Sequence, residues 1–149
     1  MLKRRRKSTK PDHRPGGPMA RRVDWLPAPD IGERALKLIS DLNMDWILYE
    51  RLFFYRSTDS KARAYARTWG LPKLWQTSLK VEPAYIVEVL SEHFDKLDKR
   101  SQDKVILHEL THIPHNFSGA LVAHTHRKKG SFHDRLDTLI EQYFEKYNY

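Results

Sequence analysis

With 149 residues, 40% of them apolar and 31% charged, the chain has the length of one ordinary domain and the composition of one that buries a core beneath a wet surface. It contains no cysteine, which excludes disulfides, thiol nucleophiles and cysteine-based zinc sites, so any metal has to be held by histidine and carboxylate. The net charge of +8 points to nucleic acid until it is located: residues 1–22 hold nine basic side chains against Asp12 alone, and the rest of the chain is neutral.

Residues 1–22 also contain Pro11, Pro15, Gly16, Gly17 and Pro18 and almost no apolar side chains. Burial cannot offset their ordering entropy, and a disordered basic tail, 1–22, is expected ahead of a single domain, 23–149. Lys3, Arg4, Arg5, Arg6 and Lys7 are candidate nucleic-acid contacts acting by phosphate neutralisation; a solubility or targeting arm is the other reading. No run approaches the roughly 18 to 20 apolar residues that span a bilayer, and no apolar segment follows the basic N-terminus, so an intracellular, cytoplasmic protein is expected.

After a link at 25–29, Asp30 is the expected N-cap of a first helix, with Ile31, Ala35, Leu38, Ile39 and Leu42 at helical spacing. Residues 46–55 read as a strand, 57–60 as a turn and 62–69 as a second strand, with a helix as the alternative over 62–68. Gly70 and Pro72 break the chain before an expected third strand at 73–81, and 84–90 has the composition of a buried strand. Helices are expected at 101–113, stopped by Pro114, and at 132–147. Between Arg51 and Trp75, the cations Arg51, Arg56, Lys61, Arg63, Arg67 and Lys73 interleave with Phe53, Phe54, Tyr55, Tyr65, Trp69 and Trp75. Such interleaving belongs either to a single-stranded nucleic-acid platform or to an edge sheet with its aromatics in the core and its cations in solvent.

The chemistry is concentrated in the helix at 101–113. His108 and His112 are four residues apart, which puts both imidazoles on one face within reach of one zinc ion. Glu109 lies about 100° around the helix, where its carboxylate can take a proton from water at the metal. Ile106, Leu110 and Ile113 form the stripe that anchors the helix in the core. A catalytic zinc needs a third protein ligand and an open position. His115 is too close to His112 to return to the metal. The loop at 116–123, with Gly119, can bring back His124 or, alternatively, His126; His133, Glu141 and Glu145 are the remaining candidates.

The stretch from Val105 through His108-Glu-Leu-Thr-His112-Ile-Pro-His, Phe117-Ser-Gly119 and on to His124 resembles the metallopeptidase family of phages and archaea, whose pattern is HELxHIP, then FSG, then a histidine. Segments 60–76 and 83–90 also look like archaeal members, so the likeness covers roughly residues 45–145. The resemblance implies metal ligands at His108, His112 and His124 and a base at Glu109. More distantly, the arrangement is similar to SprT-like metallopeptidases, which include proteases of DNA-protein crosslinks. Those place Gly directly after the third ligand, whereas here Gly130 and Phe132 come a few residues later.

The expected fold is therefore α+β of the minimal zincin type: an N-terminal helix, a small mainly antiparallel sheet of three or four strands, the zinc helix and a C-terminal helix. The expected function is zinc-dependent hydrolysis of peptide bonds in a protein substrate, with one Zn2+ per chain and a basic tail that can recruit the enzyme to nucleic acid. The competing reading is a nucleic-acid-binding protein whose zinc site is structural or vestigial.

Overall fold

The computed structural model describes residues 22–124 and 130–147. Along them run β1 (Asp24–Pro27), α1 (Pro29–Asp41), a 3-10 turn (Tyr49–Arg51), β2 (Leu52–Thr58), β3 (Ala66–Gly70), α2 (Lys73–Leu79), β4 (Tyr85–Leu90), α3 (Ser91–Phe94), α4 (Lys99–Thr111) and α5 (Phe132–Tyr147). The fold is α+β. The sheet order is β1-β2-β4-β3, with β1/β2 and β3/β4 antiparallel and β2/β4 parallel. Among the described residues no helix is long and apolar enough to cross a membrane.

β4 pairs on both sides, which is why its sequence is a nearly unbroken apolar run; only Ile86 is exposed. Alternation along the strands separates two faces. Leu52, Ala66, Tyr85, Val87 and Val89 point to the core and are buried, where α1 and α4 pack against the sheet. The other face carries Trp25, Phe53, Arg67, Trp69, Ile86 and Glu88, and Trp25, Phe53 and Trp69 remain 53%, 49% and 49% exposed.

α1 buries Ile31, Ala35, Leu38 and Ile39, the stripe its spacing demands. Its start differs from expectation: Pro29 opens the helix with Ala28 as an uncapped N-cap. Asp30 lies in the first turn, where its carboxylate pairs with Arg56 at 2.9 Å. α4 begins two residues earlier than expected because Asp98 caps it, accepting from the Ser101 amide at 2.8 Å. Arg34 fastens α1 to α4, donating to Asp103 at 2.9 Å and to Gln102 at 2.6 Å. α4 buries Ile106, Leu107 and Leu110 completely, and α5 covers its outer side with Phe132, Leu136, Tyr143 and Phe144. Each such side chain contributes about 1.5–3 kcal/mol of transfer free energy.

Three expectations need correction. The segment expected as a third strand, 73–81, is helix α2: Pro72 fixes the extended residue ahead of it, Gln76 N bonds to Pro72 O at 3.1 Å, and Lys80 ends it in the left-handed region at φ 54°. Its apolar residues Leu74, Trp75 and Leu79 are exposed, so apolar content here does not report burial. The link at 25–29 contains a real strand, β1, laid along β2. The strand expected at 46–55 begins only at Leu52 and continues to Thr58, because Trp46 leaves the sheet to donate its indole N–H to Ile113 O at 3.2 Å.

Candidate metal and catalytic site

The last two turns of α4 present His108, Glu109 and His112 toward the β3 edge of the sheet, and the chain then turns back so that His124 meets them. The potential ligand atoms of His108, His112 and His124 all lie within 4.8 Å of one another, and Nε2 of His124 is 2.8 Å from Nε2 of His108. A tetrahedral ion with Zn–N bonds of about 2.0–2.1 Å holds its donors roughly 3.3 Å apart, so small rotations of these rings bring all three onto one ion. The donor set fits as well: neutral imidazole is a ligand, and burial together with the neighbouring histidines holds the His108 imidazole down at about 4. Burial also lowers His112, against a bond from its ring to Val122 that raises it. His112 Nδ1–H donates to Val122 O at 2.7 Å, which fixes the tautomer and leaves Nε2 as the ring nitrogen available to a metal.

The returning loop is tied at several points. Val122 N donates to His112 O at 2.8 Å, so His112 and Val122 hold each other through both backbone and ring. Tyr85 O–H donates to Ala120 O at 2.7 Å and accepts from Gly119 N at 2.7 Å. Gln76 Nε2 donates to Ser118 O at 2.9 Å and to Leu71 O at 2.8 Å. Gly119 has φ +92°, and a Cβ there would lie 2.3 Å from Leu71 O; a Cβ on Gly70 would lie 2.0 Å from Gly119 O. The loop therefore passes so close to the end of β3 that neither position accommodates a side chain. Phe117 packs edge-on against Tyr85 at 4.8 Å, which gives the Phe117-Ser118-Gly119 motif a structural reason.

Glu109 is 6% exposed. Burial pushes its carboxyl up to about 7 against the opposing pull of Thr68. Thr68 Oγ1 is 2.8 Å from Oε2 and 3.0 Å from the Glu109 carbonyl oxygen, and Glu109 lines the cleft beside the histidines. A cavity of about 250 Å³ opens here, lined by Ala66, Thr68, His108, Glu109, His112, Leu121 and His124. A second cavity of about 370 Å³ shares Ala66, His108 and Glu109 and continues to Tyr65, Val105, Leu136 and Ile140. A larger cavity of about 580 Å³, between Trp46 and α5, contains none of the clustered histidines and is not the site of this chemistry.

The remaining candidate ligands lie elsewhere. His115 stacks on Trp46 at 4.0 Å and lines the Trp46 cavity together with Glu141. Glu145 is exposed on α5. His133 stacks on His124 with ring centroids 6.0 Å apart but is not one of the three clustered residues. His126 and the basic residues Lys3, Arg4, Arg5, Arg6 and Lys7 fall outside the described residues. Sequence reasoning missed two contributors. Thr68 carries no motif and is found only through the packing of β3 against α4. Phe132, fully buried, lies 4.5–5.0 Å by ring centroids from all three imidazoles and gives them an apolar floor; the sequence named it only as the Phe after Gly130 in the comparison with SprT-like metallopeptidases.

Two histidines from one helix turn, a third from a returning loop and a buried carboxylate beside them form the donor set of a metal-dependent hydrolase. Residues 23–137 match the family model described as "Putative phage metallopeptidase", and the chain belongs to that family. No curated protein and no solved structure matches the chain.

Proposed function

We propose that the protein is a zinc metallopeptidase of the HExxH type, cutting peptide bonds with one zinc ion held by His108, His112 and His124 and with Glu109 as the base. The observation that carries this reading is the convergence of three imidazoles within 4.8 Å beside a buried carboxyl, Glu109, that lines the same cleft. When bound, the ion acidifies water and polarises the scissile carbonyl. Glu109 takes the proton from the attacking water at Oε1 and delivers it to the leaving amine as the C–N bond breaks. The apolar cavity toward Leu136 and Ile140 accepts an apolar substrate side chain beside the scissile bond. The excess positive charge of residues 1–22 supports recruitment of the enzyme to nucleic acid.

Metal content by inductively coupled plasma mass spectrometry, on protein purified without a histidine tag, tests the site. About one zinc per chain is expected in the wild type and almost none in His112→Ala. A wild type that holds no zinc after reconstitution would remove the proposal. Thr68 positions the base: Thr68→Ala is expected to lower kcat roughly tenfold, equivalent to the loss of one hydrogen bond to a charged group, at unchanged zinc content. Thr68→Ser should recover most of that rate, and equal rates for all three proteins would exclude the role.

A further inference from the structure

We infer that the open face of the sheet is a binding platform for single-stranded nucleic acid, separate from the histidine cluster. Trp25 from β1, Phe53 and Tyr55 from β2, Trp69 from β3 and Ile86 from β4 line a groove of about 530 Å³ on the side of the sheet away from the core. Half-exposed planar rings are a poor surface to leave in water, and they suit the flat apolar faces of unpaired bases.

The floor of the groove explains how the rings are held. Glu88, 1% exposed, accepts from both indoles, Trp25 Nε1 at 3.2 Å and Trp69 Nε1 at 2.7 Å. It also accepts from Arg67 Nε at 2.7 Å and Nη2 at 3.1 Å. The two tryptophans are thus pinned by their polar edges from opposite sides of β4, which lowers the entropy lost when a base settles on them. Arg67 neutralises the carboxylate and lies 5.0 Å from the Trp69 ring, so the groove presents no net negative charge to a polyanion.

Charge selects the occupant. The segment 1–22 holds the chain's whole positive excess and ends at Arg22, three residues before Trp25, a wall of the groove. A nucleic acid supplies both things this arrangement asks for: phosphates for the cations and bases for the rings. A second copy of the chain supplies the apolar face but brings a second +8 segment alongside the first, which opposes pairing. The aromatics of residues 51–75 are consequently divided: Phe53 and Trp69 face the groove, while Phe54 packs against the core.

The test uses the full chain and a fluorescein-labelled oligothymidylate of about 15 nucleotides, titrated by polarisation at two salt concentrations. Binding that weakens with salt is expected, with Phe53→Ala about tenfold weaker at each salt and the salt dependence retained, because stacking is lost and phosphate contacts are not. Trp69→Phe, which keeps a ring, should bind within about twofold of wild type, whereas Trp69→Leu should match Phe53→Ala. Binding of an unlabelled duplex, whose bases are already stacked, should not change with Phe53→Ala. Zinc content and far-UV circular dichroism confirm that each variant is folded. The inference is overturned if folded Phe53→Ala and Trp69→Leu bind the oligonucleotide as wild type does, which leaves all binding to residues 1–22. It is equally overturned if sedimentation shows a wild-type dimer that Phe53→Ala dissociates. Neither readout involves peptide hydrolysis, so its outcome is independent of the proposed peptidase activity.

Discussion

Glu109→Gln is expected to lower kcat by about a thousandfold while retaining one zinc per chain. Losing a general base costs on the order of 10²–10⁴ in rate, and the proposed mechanism uses this one carboxyl twice. The substitution is isosteric, and Thr68 can still donate to the amide oxygen in place of Oε2, so the helix and its two histidines stay where they are. A second consequence follows from burial. The carboxyl is raised from 4.5 to about 7 in the folded protein, so the unfolded chain loses its proton first. The group therefore destabilises the fold increasingly as pH rises from 4.5 to 7, and its full cost is present above 7. Metal-free Glu109→Gln should accordingly melt at or above the temperature of metal-free wild type at pH 8, while the zinc-loaded variant hydrolyses a cleavable protein substrate about a thousandfold more slowly than zinc-loaded wild type. Wild-type turnover by the variant would remove Glu109 from the mechanism.

Glu88→Ala should destabilise the fold by about 2 kcal/mol at pH 7, the cost of losing hydrogen bonds to a buried carboxylate whose partners reach solvent, as read by urea unfolding. Removal of the carboxylate leaves Arg67 and the indoles of Trp25 and Trp69 without their common acceptor in the middle of the sheet. Burial pushes the Glu88 carboxyl up, but Arg67, Ser57, Trp69 and Trp25 outweigh it and hold it at about 2, below its ordinary 4.5. A depressed carboxyl stabilises the fold fully above the unfolded value and loses that contribution as pH falls from 4.5 to 2. The difference between wild type and Glu88→Ala should therefore narrow over that window. A difference that stays constant from pH 7 to pH 2 would assign the loss to packing and not to charge.

Much of the candidate site was legible in the sequence because its key residues share one helix. A spacing of four is itself a three-dimensional statement on a helix, so His108, Glu109 and His112 could be placed together without knowledge of the rest of the fold. His124 was one of several candidates, since its return depends on loop contacts with Tyr85, Gln76 and Val122 that no local pattern encodes. Thr68 was invisible because it reaches Glu109 through the packing of β3 against α4. The helices α1, α4 and α5 were legible from their apolar stripes, and β4 from its continuous run. The segment 73–81 was misread because its local signals, Gly70 and Pro72, mark a break in the chain and do not say which element follows. β1 was missed because its four residues include a proline and show no alternation; it exists because β2 offers an edge.

The tight passage of the 113–123 loop past Gly70 also limits how this region can change over generations. Each end of the span is anchored to a metal-site histidine, and its middle is fixed between Gln76, Tyr85 and the backbone of Leu71. An added or deleted residue has nowhere to be absorbed and would carry His124 away from its partners. Length is thus as constrained here as residue identity.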